Sequence, residues 1–95
     1  MKDAGILLSI KILSMQYPER YAMRRLVTAA QRGLYEVHPF LELDISEVAD
    51  PGLIGRYANV LILPTLVINE KVVCSGRRPS LEEVSGWLLE AAAMQ

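Results

Sequence analysis

Few side chains in this sequence are able to do covalent or metal chemistry. Its 95 residues include one cysteine, Cys74, and one histidine, His38. A Ser-His-Asp or Cys-His arrangement would need that single imidazole in place, and one thiol cannot build a cysteine-based metal cluster. Cys74 can form no disulfide within the chain, which suits a reducing compartment. To act as a reactive thiol it would need exposure and a cationic neighbour, a role open to Arg77. Free cysteine is more commonly a small buried hydrophobe. His38, beside Pro39 and with Glu36 and Glu42 nearby, is a weak start to a metal site and reads as a rim residue. Asp44, Glu47 and Asp50 are spaced around a loop and a helix start, where capping accounts for them. No catalytic residue, metal ligand or cofactor is expected from these types and spacings.

The bulk composition narrows the function classes further. Apolar residues make up 52% of the chain, and 10 basic residues nearly balance 11 acidic ones for a formal charge of −1. Neither a disordered segment nor a strongly basic nucleic-acid binder has this balance, so no nucleic-acid partner is expected. The length suits a single domain over residues 1–95. The apolar run from Ile6 to Leu13 is too short to span a bilayer, and Lys11 interrupts it. No small-residue cleavage site follows it. The expectation is a cytoplasmic protein with no membrane association.

The elements that must position any site follow from periodicity. Ile6 to Leu13 is a nearly continuous apolar run, as in a buried strand of a parallel sheet. Residues 18–33 change to a helical period, with Ala22, Leu26, Ala29 and Ala30 on one face and Met23 and Val27 beside them. Pro18 fits the first turn of this helix and Gly33 its end. Tyr35 to Asp44 alternates again, though Pro39 within it points to an edge strand or a late start. Asp50-Pro51 predicts the cap and first residue of a short helix to about Tyr57.

Val60 to Ile68, broken by Pro64, predicts another strand. Asn69-Glu70 reverses the chain into Lys71 to Ser75, giving a hairpin whose turn lacks the usual glycine. Ser80 and Glu83 form a capping box for a last helix that buries Leu81, Val84, Leu88 and Ala91, with Trp87 and Leu89 alongside. The order β-α-β-α-β-β-α predicts an α/β fold with a mixed four-stranded sheet covered on both faces. If the second and fourth strands are its edges, either could mediate a homodimer or partner docking, with Pro39 and Lys71 blunting them.

That order, with a proline at the start of the third strand, resembles the thioredoxin-like superfamily over nearly the whole chain. The most specific stretch is Ile62-Leu63-Pro64-Thr65-Leu66-Val67-Ile68, followed by Lys71-Val72-Val73, Gly76 and the Ser80 helix. It is similar to small thioredoxin- and glutaredoxin-like proteins. KaiB-type circadian clock domains are a more distant second, through Asp44, Pro51 and Pro64-Thr65-Leu66, but the proline-rich stretch those domains carry after the third strand is absent.

The resemblance implies a thioredoxin-like fold with a cis bond between Leu63 and Pro64. It also puts Tyr17-Pro18-Glu19-Arg20 where the family carries its Cys-x-x-Cys motif, so Tyr17 and Arg20 stand at the cysteine positions. Lys11 falls where longer thioredoxins have an acidic residue that assists proton transfer. Dithiol exchange needs a thiolate at the helix N-terminus and a second thiol to resolve the mixed disulfide. Dithiol-disulfide oxidoreductase activity is therefore not expected.

The resemblance further implies that Tyr17, Pro18, Arg20, Leu63, Pro64, Gly76, Arg77 and Arg78 gather from three loops into one groove. There an extended peptide could pair with backbone, Tyr17 could supply aromatic contact, and arginines could hold a carboxylate or phosphate. The expected function is a redox-inactive module that binds a protein or peptide. The alternatives are an anion or small-thiol binding domain, or an atypical oxidoreductase relying on Cys74 or a partner's cysteines.

Overall fold

The structure, a computed structural model, describes residues 5–57 and 62–94. Its elements are β1 (Ile6–Leu13), α1 (Tyr17–Gly33), β2 (Leu41–Val48), α2 (Pro51–Ile54), β3 (Thr65–Ile68), β4 (Lys71–Ser75) and α3 (Leu81–Ala93). The four strands form one mixed sheet in the order β2-β1-β3-β4, with β1 parallel to β2, antiparallel to β3, and β3 antiparallel to β4.

Strand alternation divides the molecule into two unequal layers. On one face Leu8, Ile10 and Ile12 of β1 join Leu66 and Ile68 of β3, Met23, Val27 and Ala30 of α1, and Val84 and Leu88 of α3 in the main core. Each valine, leucine, isoleucine or methionine among them contributes about 1.5–3 kcal/mol on removal from water, before entropy is charged against it. Leu13 and Val67 turn to the other face, where Ile54 of α2 covers them together with Val48, Tyr57, Leu63 and Val72.

The second face is covered only in part. The pairs Ser9↔Asp44 and Lys11↔Ser46 share it with Leu13↔Val48. Asp44 and Ser46 are exposed and Ser9 and Lys11 half-buried, because a helix of four residues reaches only the Leu13 end. Cover on both faces, expected from the element order, therefore holds for the main core and not for this polar half.

Other expectations also shift. The second strand starts at Leu41, after turns through Pro39, instead of at Tyr35. On α1 the buried residues are Met23, Val27 and Ala30, while Ala29 is exposed. On α3 they are Val84, Leu88 and Ala92, with Leu81 exposed at the first turn and Ala91 half-buried. The short helix ends at Ile54 instead of Tyr57. The third strand is described only from Thr65; the expected start at Val60 lies outside the described residues.

The β3–β4 turn forms without glycine. Asn69 (φ 49°) and Glu70 (φ 67°) both occupy the left-handed region that a two-residue hairpin of this hand requires. Asn69 is held by a reciprocal pair with Ser9: its N–H donates to the Ser9 carbonyl, and its Oδ1 accepts from the Ser9 N–H. Glu70 accepts from Lys11 Nζ at 2.5 Å and from the Tyr57 hydroxyl. These bonds offset the cost of the non-glycine turn.

Both sheet edges carry features that oppose strand addition. At β2, Gln31 Nε2 donates to the Leu41 carbonyl and Arg24 to the Ile45 carbonyl. At β4, a register irregularity opposite Leu66 and Val67 and an exposed Lys71 interrupt a regular ladder.

Candidate functional site

Sheet register brings three loops to one end of the molecule. Leu13 lies opposite Thr65, and Thr65 lies opposite Ser75. The chain leaving β1 towards α1, the chain entering β3 through Leu63-Pro64, and the chain leaving β4 at Gly76 are therefore neighbours. The Leu63–Pro64 bond is cis. The Gly76 N–H donates to the Pro64 carbonyl at 2.9 Å, which ties the second and third loops directly. Gly76 has φ +84°, and a β-carbon there would lie 3.1 Å from Ile62 Cγ2. That close approach and that backbone conformation account for glycine at this position.

At the first loop, the strand-to-helix corner is organised by Ser14, a fully buried polar residue that the sequence reading did not single out. Its hydroxyl donates to Glu19 Oε1 and accepts from the Gln16 N–H, and its carbonyl accepts from Arg20 Nη1 at 2.9 Å. Pro18 occupies the first turn of α1, as expected. Tyr17 projects outward, 63% exposed, with its ring stacked on Tyr21 at 6.2 Å and the Arg20 guanidinium 5.7 Å from the centroid.

Arg20 and Arg77 do not point into a shared space. Arg20 also pairs with Glu47 at 3.4 Å, and Arg24 pairs with the same carboxylate at 2.5 Å, so both guanidinium groups turn towards β2. Glu47 is thus an ion-pair anchor and no cap; only Asp50 caps, accepting from the Gly52 N–H. Glu19, the expected partner of Arg20, is engaged by Ser14 instead.

Across the site, Arg77 makes a two-pronged pair with Glu83 at 2.7 and 2.8 Å. Glu83 also accepts from the Ser80 N–H, completing the capping box. The Arg77 guanidinium first, and the Ser80 backbone second, hold the Glu83 carboxyl down to about 2. Arg78 is exposed and has no carboxylate partner among the described residues.

The remaining rim is apolar. Met15 is 53% exposed and Ile62 65% exposed, while Leu63 is half-buried against the Leu13–Val67 cluster. Tyr17, Met15 and Ile62 belong to loops that the register brings together at one end of the sheet. Ile62 drew no separate notice in the sequence reading, because only its contact with the Gly76 position marks it.

Cys74 sits elsewhere. It lies on β4 with its side chain in the main core, 7% exposed. Burial pushes its thiol above the ordinary range, opposed by the nearby Arg77 charge. Its Sγ contacts the Arg77 carbonyl at 3.6 Å. Lys11 lies on the open face of the sheet, bound to the Tyr57 hydroxyl at 2.7 Å and to Glu70. Those two hydrogen bonds raise its pKa, and the same ammonium lowers that of Glu70. That position ties β1 to Tyr57, just past α2, and to the hairpin turn. His38 sits half-buried in the turns after α1.

A βαβ unit, an antiparallel hairpin entered through a proline loop, and a closing helix that packs beside α1 define a thioredoxin-like domain. The family described as Thioredoxin domain matches residues 8–89, and the chain belongs to it. No curated protein matches the chain.

Proposed function

We propose that this thioredoxin-like domain binds an extended protein segment across the three-loop end of the sheet and performs no dithiol exchange. The observation that carries the reading is the apolar rim: Met15, Tyr17 and Ile62 stay exposed where the loops meet, while the polar groups beneath them are paired internally. A rim of this kind offers side-chain contact, and the loop before Pro64 offers backbone for main-chain pairing. The corner itself contains no cysteine, and the chain's single thiol is buried in the core with its thiolate disfavoured. No helix among the described residues is long and apolar enough to cross a membrane. A lone reduced thiol fits a cytoplasmic setting.

The anion-binding alternative, which would use Arg20 with Arg77 or Arg78, is weakened because Arg20 and Arg77 are each held by a carboxylate of the chain itself, which leaves it to Arg78. The test is a selection from a random-peptide library, followed by amide-resolved NMR titration of the selected peptide. The expected shifts fall on residues 14–20, 62–65 and 76–78, and Tyr17→Ala or Ile62→Asp weakens binding about thirtyfold, as for an interface hot spot. Shifts confined to other surfaces would refute the groove. Acceleration of insulin-disulfide reduction over a blank would refute redox inactivity, and its loss in Cys74→Ser would assign the activity to that thiol.

A further inference from the structure

The outward face of α1 carries a second feature that the three loops do not use. Tyr21, Arg25, Thr28, Ala29 and Arg32 fall within roughly a third of the helix circumference at 100° per residue, opposite the buried Met23, Val27 and Ala30. Arg24, Arg25 and Arg32, with the smaller Thr28 and Ala29 between them, line a shallow groove of about 390 Å³. The Arg25 guanidinium is held 5.8 Å from the centre of the Tyr21 ring. Arg24 is paired with Glu47, whereas Arg25 and Arg32 have no carboxylate partner among the described residues. The one acidic residue within α1, Glu19, is bound to Ser14.

This local excess of positive charge lies on a chain whose formal charge is −1. Exposed carboxylates lie at Glu36 in the turns after α1, Asp50 ahead of α2, Glu70 in the hairpin turn, Glu42 and Asp44 of β2, and Glu82 and Glu90 of α3, and none of them pairs with Arg25 or Arg32. We propose that the α1 ridge docks an acidic stretch of a partner protein, with one carboxylate at Arg25 and another at Arg32.

The two arginines stand about 10 Å apart along the helix at 1.5 Å per residue. A chain in the polyproline II conformation covers about 9 Å in three residues and returns its side chains to the same face every third position, so the matching segment carries acidic side chains three positions apart. Each guanidinium can take a carboxylate through two parallel hydrogen bonds. The small residues between them leave room for the partner's backbone. A polynucleotide fits less well, because two free arginines give a short footprint and the rest of the surface repels a long polyanion. The proposal is independent of the groove reading, since Arg25 and Arg32 take no part in the loop cluster.

The experiment uses a fluorescein-labelled peptide with glutamates at every third position and alanines between. It is compared with a peptide of the same composition with its glutamates clustered, a glutamine version, and oligothymidylate. The expected result is salt-sensitive binding of the spaced peptide, with amide shifts at Arg25, Thr28, Ala29 and Arg32. Binding should fall about tenfold in R25E/R32E, the loss of two surface ion pairs. That variant should keep the wild-type circular dichroism, since among the described residues neither side chain has a carboxylate partner to lose and the Arg25–Tyr21 contact lies on the exposed face of the helix. Lys71→Glu and Arg56→Glu, charge changes away from the ridge and from the loop cluster, should leave the affinity unchanged. Equal binding of the clustered peptide, shifts spread over every basic residue, or tighter binding of oligothymidylate at the same amides would each overturn the proposal.

Discussion

Replacing glycine by alanine at two positions should change stability in opposite directions, and the difference is set by backbone geometry. At Gly76, φ is +84°, and a β-carbon would meet Ile62 Cγ2 at 3.1 Å and Ile62 Cβ at 3.4 Å. The left-handed region costs an L-residue about 1–2 kcal/mol. Ile62 is largely exposed and can swing away, so the contact adds little to that figure. At Gly86, inside α3, nothing lies within 4 Å of the added β-carbon. Alanine there restricts the unfolded chain and favours the helix, for a gain of about 0.5–1 kcal/mol. Urea denaturation followed by circular dichroism should place Gly76→Ala below the wild type and Gly86→Ala above it. In a domain of this size each kcal/mol moves Tm by roughly 4–8 °C. Gly76→Asn, which tolerates the left-handed region, should lose less than Gly76→Ala. An alanine variant at 76 within about 0.3 kcal/mol of wild type would refute the reasoning. So would an asparagine variant worse than the alanine.

Two further outcomes rest on ion pairs. Glu47→Ala leaves the half-buried Arg20 and Arg24 without their shared carboxylate. It should cost about 1–2 kcal/mol by urea denaturation after allowance for partial exposure, with Glu47→Gln intermediate; an unchanged midpoint would show that the network contributes nothing. Glu83 has its folded pKa lowered from 4.5 to about 2, chiefly by Arg77. Its contribution is therefore complete above about pH 4.5 and declines as pH falls towards about 2. The Tm difference between wild type and Glu83→Gln should be present at neutral pH and shrink across that window, and a pH-independent difference would contradict the assignment.

Local signals were the ones legible in the sequence. The Ser80–Glu83 box needs only four residues, and it is present as read. Ile6 to Leu13 reads as a strand because both of its faces begin apolar, and Asn69-Glu70 reads as a reversal because asparagine tolerates positive φ. Val37, Leu41 and Leu43 share a two-residue period across Pro39, which draws the expected second strand back to Tyr35. In the fold Val37 is 64% exposed and outside the sheet. The true strand continues to Val48 through Glu47, a charged residue that shares a face with Leu43 and Ile45 because two arginines meet it there. That partnership depends on Glu47 lying opposite Ile12 in the parallel register, which no local pattern encodes. Ser14 carries no local signal for a related reason: a serine after a strand reads as an ordinary loop residue, and only the tertiary fold buries it.

The corner between β1 and α1 holds no cysteine, and its polar groups are bound to one another. A thiolate site needs an unsatisfied anion at the helix N-terminus, accessible to a substrate. Here Ser14 binds the Glu19 carboxylate, Arg20 caps the Ser14 carbonyl, and Glu47 takes the far side of Arg20. Each polar group at the base of the corner has an internal partner, and the residue projecting outward is the uncharged Tyr17. Under the proposed reading, such a corner recognises a ligand by shape and backbone and has little charge to offer. Discrimination by charge then falls to surfaces such as the α1 ridge, where Arg25 and Arg32 stand without carboxylates among the described residues. Placing cysteines at 17 and 20 would remove the ring from the rim and the guanidinium from Ser14 and Glu47 together. Gaining a thiol pair at this corner therefore requires dismantling the network that now holds it.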